Sequence, residues 1–136
     1  MQREAPFFFA HGDTIVSGVM DLVCQYPDRW HVVDYKTNAL KGRGAEELAK
    51  EYTLQGQVYC LAALRAGAPA VQMDLLFLER PREPVTLLCD SEDVERLEQR
   101  LNDALAGLRA HDFSARWGVT CAGCGAKAAC GSMAPA

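Results

Sequence analysis

Two apolar runs on either side of a tight turn constrain this chain more than anything else in it. Residues 15–23 are rich in Ile, Val, Leu and Met with Gly18 as the only interruption, and residues 30–36 run Trp-His-Val-Val-Asp-Tyr-Lys. Both read as strands by their apolar, β-branched and aromatic content, the first as a buried one. Pro27-Asp28 lies between them and predicts a hairpin turn. A hairpin centred there puts Asp21 directly opposite Asp34, with Cβ atoms about 5 Å apart. Side chains alternate along a strand, so Asp34 and Lys36 share a face while Val33 and Tyr35 point the other way. A one-residue bulge would instead put the acids on opposite faces. Taken singly, each acid reads as a strand-end or turn residue, because acids are mostly exposed. Taken together on apolar strands beside Lys36, two carboxylates so close need a cation between them, and the hairpin reads as a metal-binding site.

The elements around it follow from local pattern. Residues 3–10 form a first strand ending in a His11-Gly12-Asp13 turn. A chain that opens directly into an aromatic core strand reads as a piece of something longer. Residues 37–44 carry Lys41 and Arg43 and no acid, which fits a solvated linker or, beside a site that handles phosphate, a backbone contact. Residues 45–66 are helical by pattern, with Gly67 as the stop. Leu48, Tyr52, Gln55, Tyr59 and Ala62 fall on one helical face. Gln55 at its centre is either ordinary packing or a group that reaches the hairpin together with Tyr59.

Residues 71–79 alternate, with Val71, Met73, Leu75 and Phe77 on one side, and residues 85–89 return as another strand. Asp90-Ser91-Glu92-Asp93 opens a last helix, its acids placed where the dipole favours them. Val94, Leu97, Leu101, Ala104 and Leu108 are expected to form its buried stripe. The expected architecture is α/β (α+β), with a central sheet of four to five strands and the 45–66 helix packed on it.

With 136 residues, 49% of them hydrophobic, the chain has material for one cored domain. We assign residues 1–115 to that core and 116–136 to a cysteine-containing tail. The net charge of −4 gives no global basic field, so contact with a polyanion must be local or come from a partner. No apolar run reaches the length of a membrane span and the N-terminus lacks signal-peptide order, so the expectation is a cytoplasmic protein with no membrane segment. Three of the six cysteines bunch near the end as Cys121-x2-Cys124-x5-Cys130. The two-residue gap suits chelation of one metal centre by both thiolates; the alternative is an oxidised or unliganded tail. Cys24 and Cys60 read as small core residues.

The order Gly18-Val-Met-Asp21-Leu-Val, Val33-Asp34-Tyr35-Lys36-Thr37-Asn38 and Gln55-x3-Tyr59 resembles the nuclease domain of RecB and AddA helicase-nucleases, a branch of the PD-(D/E)XK superfamily. The likeness covers residues 4–79 and implies a restriction-endonuclease-like core with a mixed sheet. It also implies metal-dependent DNA cleavage, with a helicase domain in the same or a partner chain. Asp21, Asp34 and the Tyr35 carbonyl would hold Mg2+ or Mn2+, which prefer oxygen ligands. Lys36 would orient or deprotonate the attacking water, or stabilise the pentavalent phosphate. Gln55 and Tyr59 match the Q-x3-Y motif of that branch and would complete the catalytic set. The tail is similar to that of AddB and CRISPR-associated RecB-like exonucleases, which implies a [4Fe-4S] cluster on Cys121, Cys124 and Cys130. Its fourth cysteine and the family's first-motif His or Glu come from a helix not recognisable here; zinc with His111 is the competing reading. The rival functions are an inactive DNA-binding or structural module, a stand-alone CRISPR-type exonuclease, and a small metal protein whose tail is the whole function.

Overall fold

Turn chemistry lays out the first three strands. In the computed structural model, which describes residues 1–37, 39–111, 121 and 124–130, β1 (Gln2–His11) and β2 (Thr14–Gln25) pair antiparallel across Gly12-Asp13. Gly12 supplies the left-handed backbone (φ 60°) that a two-residue hairpin needs at its first central position. β3 (Trp30–Lys36) follows a turn around Pro27-Asp28 closed by the Tyr26 N–H on the Arg29 carbonyl at 2.9 Å. The β2–β3 ladder runs from Gln25–Trp30 to Leu22–Val33, the register expected from the sequence. β2 is not buried on both faces, however. Its exposure alternates over residues 14–19, as in a strand with one face on the core.

β4 (Ala70–Phe77) lies parallel to β3, with Trp30 beside Val71 and Lys36 beside Phe77. Parallel neighbours require a crossover, supplied by α1 (Ala45–Ala49), a 3-10 turn at Lys50–Tyr52 and α2 (Thr53–Arg65). The single helix expected over 45–66 is therefore broken. The Thr53 N–H and hydroxyl both donate to the Lys50 carbonyl, which tightens this turn to a three-residue repeat. Gly67, at φ 101°, stops α2 as anticipated. β5 (Val85–Asp90) returns antiparallel to β4 and completes a mixed five-stranded sheet ordered β1-β2-β3-β4-β5.

α3 (Val94–Arg109) opens behind a capping box in which Asp90 accepts from the Glu92 N–H and Asp93 accepts from the Asp90 N–H. Leu97 and Leu101 are buried, whereas Leu108 is exposed and does not belong to the buried stripe.

Residues 1–102 form one compact unit and residues 103–136 another. In the first, α2 covers the sheet face that carries Val32, Val71 and Phe77, all essentially inaccessible to solvent together with Leu48, Leu61 and Leu97. Arg65 ties the layers together: it donates to the Ala10 carbonyl and to Glu98, each at 2.6 Å, and lies over the Phe9 ring. In the second unit, the Cys124 N–H meets the Cys121 carbonyl at 3.4 Å and a short 3-10 turn spans Lys127–Ala129. Asn38 and the 115/116 boundary lie outside the described residues. No helix among the described residues is long and apolar enough to cross a membrane.

Candidate active site

Asp34 sits in β3 between two hydrogen-bonded strands and beneath α2, which leaves it 3% exposed. Lys36, two residues on and therefore on the same face, brings its Nζ to 2.7 Å from Asp34 Oδ2. Apart from that ammonium no donor reaches Oδ2, and Oδ1 receives only a long 3.3 Å bond from Gln55 Nε2. Burial raises the Asp34 pKa above its ordinary value; the Lys36 ammonium opposes the shift, and the charge on Asp21 adds to it. This acid is thus buried, ion-paired and short of donors.

Gln55, in the first turn of α2, connects the pair to the helix. Its Oε1 accepts from Lys36 Nζ at 2.8 Å, which fixes the amide orientation and turns Nε2 toward Asp34 Oδ1 and the Tyr59 hydroxyl, the latter at 2.8 Å. Tyr59, one helical turn later, donates to the Val19 carbonyl of β2 at 2.9 Å. Burial raises its pKa, so it stays a donor. The Phe7 ring packs edge-on against Tyr59 at 5.7 Å. Phe7 lies across Gly18, where a Cβ would come within 2.8 Å of the ring. Gly18 is therefore small because an aromatic brace for the site crosses it.

Asp21 lies one step beyond the last β2–β3 pair, across from Asp34 in that register. There its side chain, not its backbone, takes up the Tyr35 N–H at 2.8 Å. Asp21 and Tyr35 line a cavity of about 570 Å³ together with Arg3 and Glu4. Glu4 falls between the Arg3–Leu22 and Ala5–Met20 pairs, across from Asp21, with a left-handed φ of 48°. The structure thus brings Asp34, Lys36, Gln55 and Tyr59 into one hydrogen-bonded group, with Asp21 electrostatically linked to it.

Pattern reading missed two residues here. Tyr52 holds its ring 4.1 Å from Lys36 Nζ, a cation–π contact, and packs edge-on against Phe77. Its place on the helical face was visible in the periodicity, but the contact depends on the 3-10 turn, which periodicity does not reveal. Glu4 had no signal at all, because its backbone conformation is not written in residue type.

Two carboxylates facing each other across the β2–β3 register, one of them buried with a lysine as its close partner, form a donor set that fits a hard divalent cation. Mg2+ takes one or two carboxylates and fills its remaining positions with water and substrate phosphate. Among the described residues no three His, Cys, Asp or Glu side chains gather into a cluster able to hold a metal. Cys60 and Cys89 are buried and Cys24 is half-buried, in the small-core role expected for Cys24 and Cys60.

A sequence model of the PD-(D/E)XK nuclease superfamily matches residues 2–131. No curated protein sequence matches the chain. Among solved structures, the crystal structure of SSO0001 superposes with a TM-score of 0.53 at 15% identity, covering 96% of this chain and 59% of that one. At that identity the likeness is one of fold, and this chain spans 59% of the length of that protein.

Proposed function

This chain belongs to the PD-(D/E)XK nuclease superfamily, and from that premise we propose that it hydrolyses DNA phosphodiester bonds as the nuclease domain of a RecB/AddA-like helicase-nuclease. The observation that carries this reading is the buried Asp34–Lys36 pair, held by Gln55 and Tyr59 and faced by Asp21. A superfamily fold with an eroded site would have no physical reason to keep a carboxylate and an ammonium buried together, because the desolvation of both opposes folding.

In this proposal Asp21, Asp34 and the Tyr35 carbonyl hold Mg2+ or Mn2+. The bound cation supplies charge neutralisation at the scissile phosphate and a water of lowered pKa. Lys36 stands at the end of β3 with its ammonium against Asp34, where it would orient the nucleophile or meet negative charge developing on the oxygens of the pentavalent phosphate. Gln55 fixes the lysine by accepting from Nζ, and Tyr59 fixes Gln55 by anchoring to the Val19 carbonyl. Tyr52 limits the lysine from the other side through its ring. Burial of the Asp34–Lys36 pair keeps bulk water from screening either charge.

We further propose that Cys121, Cys124 and Cys130 ligate a [4Fe-4S] cluster with a fourth cysteine from elsewhere, that the partner domain is a helicase, and that the protein works in the cytoplasm on DNA ends. The cluster is checked by iron and sulfide content and visible absorbance after anaerobic purification, with Cys124→Ser expected to abolish both. The nuclease reading is checked by cleavage of end-labelled DNA with Mg2+ and with EDTA. Asp34→Ala and Lys36→Ala are expected to abolish cleavage; undiminished cleavage in both would overturn the assignment.

A further inference from the structure

The charges of the first unit divide into those already neutralised and those left available. Arg29, Arg43, Arg65, Arg80 and Arg96 each pair with a neighbouring acid, as Lys36 does with Asp34. Arg3, Lys41, Lys50, Arg82 and Arg100 make no ion pair among the described residues. Three of these five lie on segments that adjoin elements of the candidate site: Arg3 beside Asp21, Lys41 in the turn after β3, and Lys50 in the turn that carries Tyr52.

Arg3 lines the 570 Å³ cavity with Asp21 and Tyr35. On the other side, Lys41 and Gly42 occupy the two central positions of a turn closed by the Arg43 N–H on the Leu40 carbonyl at 3.0 Å, with φ of 51° and 81°. Glycine adopts this left-handed conformation freely, whereas for a lysine it is uncommon and strained. The turn is pinned at both ends. Leu40 is buried and its N–H donates to Glu79 at 3.0 Å, while Arg43 is tied to Glu51 at 2.7 Å. Lys41 is therefore an exposed ammonium presented from a fixed turn five residues past Lys36. Lys50, also exposed, belongs to the same 3-10 turn as Tyr52, whose ring contacts Lys36, and both line a groove of about 230 Å³.

We propose that Arg3, Lys41 and Lys50 are the phosphate contacts of a nucleic-acid strand that crosses the site, with Arg3 on the Asp21 side and the two lysines on the Lys36 side. The proposal rests on the nuclease reading. In a chain of net charge −4, three unpaired cations around one site are the local source of attraction that the overall charge does not provide. Arg43, although it closes the same turn as Lys41, is excluded because Glu51 already neutralises it. The carboxylates Glu4, Asp21 and Asp34 repel phosphate unless a divalent cation offsets them, so binding through these contacts requires that cation.

The test is fluorescence anisotropy of a labelled oligonucleotide with the whole chain in CaCl2 over a range of KCl concentrations. Wild type is compared with Arg3→Gln, Lys41→Gln and Lys50→Gln, and with Arg43→Gln and Arg100→Gln as controls. Each of the first three is expected to lower the slope of log affinity against log salt by about 0.7–0.9, the loss of one phosphate contact. The controls are expected to keep the wild-type slope. Unchanged slopes in the three variants, an equal loss in Arg100→Gln, or binding that is as tight in EDTA would each overturn the proposal. Mg2+-dependent cleavage of the same oligonucleotide separates the two readings. Cleavage with unchanged slopes overturns the strand path alone, whereas reduced slopes without wild-type cleavage support the path and count against the nuclease.

Discussion

Asp34 and Asp74 are two buried aspartates on adjacent parallel strands, and they are solvated by the protein in opposite ways. Asp74, 8% exposed, accepts from Thr86 Oγ1 at 2.6 Å and Gln72 Nε2 at 3.1 Å and lies 2.7 Å from His31 Nε2. Both of its oxygens are occupied, by His31 and Thr86 from the two neighbouring strands and by Gln72 from its own. Asp34, 3% exposed, has one long amide bond and a single ammonium, that of Lys36, at 2.7 Å. A buried acid with filled lone pairs stitches strands together. One left short of donors retains acceptor capacity, which makes it unfavourable in the empty protein and useful to a cation.

The comparison breaks most sharply on activity. Asp34→Ala is expected to lower DNA cleavage by at least about 100-fold, whereas Asp74→Asn is expected to leave it within a few-fold, both read from single-turnover cleavage of end-labelled DNA. Comparable losses in the two variants would erase the distinction. Stability should show the reverse asymmetry. Asp74→Ala strands the Thr86 and Gln72 donors and should cost about 2–4 kcal/mol in urea unfolding, while Asp34→Asn removes a charge that burial already disfavours and should be close to neutral or stabilising.

The pH dependence sharpens the same point. The folded-state pKa of Asp34 is raised above its ordinary value of 3.8, so folding favours the protonated form. The stability penalty sets in as pH rises through 3.8 and is complete above the raised folded value. Without metal, the stability difference between Asp34→Asn and wild type is therefore expected to grow as pH rises from about 4 and then level off. Saturating Mg2+ should remove most of that difference by binding the ionised form. A difference that shrinks with rising pH would contradict the account of Asp34. The smallest expected effect belongs to Tyr59→Phe, which loses the bond to the Val19 carbonyl and leaves Gln55 short of a partner. A cost of about 1 kcal/mol in stability is expected, with a several-fold drop in kcat and little change in KM.

The hairpin was legible in the sequence because apolar, β-branched strands flank the Pro27-Asp28 turn, and of the two registers left open by a possible bulge the observed ladder is the unbulged one, which sets Asp21 across from Asp34 and Lys36 on the Asp34 face. Spacing put Gln55 and Tyr59 on one helical face but left packing and a site role open; the resemblance to the Q-x3-Y motif singled them out. The Asp74 group was not, since His31 and Thr86 reach it only through the parallel β3–β4 and antiparallel β4–β5 alignments. Those pairings join segments far apart in the chain, and β4 read locally shows only its apolar positions. The Tyr52 contact was hidden by a helix break that depends on a single threonine hydroxyl and a tightened turn. The turn that presents Lys41 was hidden for a related reason, because residue type alone gives no indication that a lysine adopts a left-handed backbone.

The central claim is that Asp34, and not Asp74, is the buried acid kept available for a divalent cation. Isothermal titration of Mg2+ into the metal-free protein tests it directly, with wild type, Asp34→Asn and Asp74→Asn compared at one pH. The expected result is one class of binding in wild type and Asp74→Asn that is lost in Asp34→Asn. Undiminished binding in Asp34→Asn, or its loss in a folded Asp74→Asn, would contradict it.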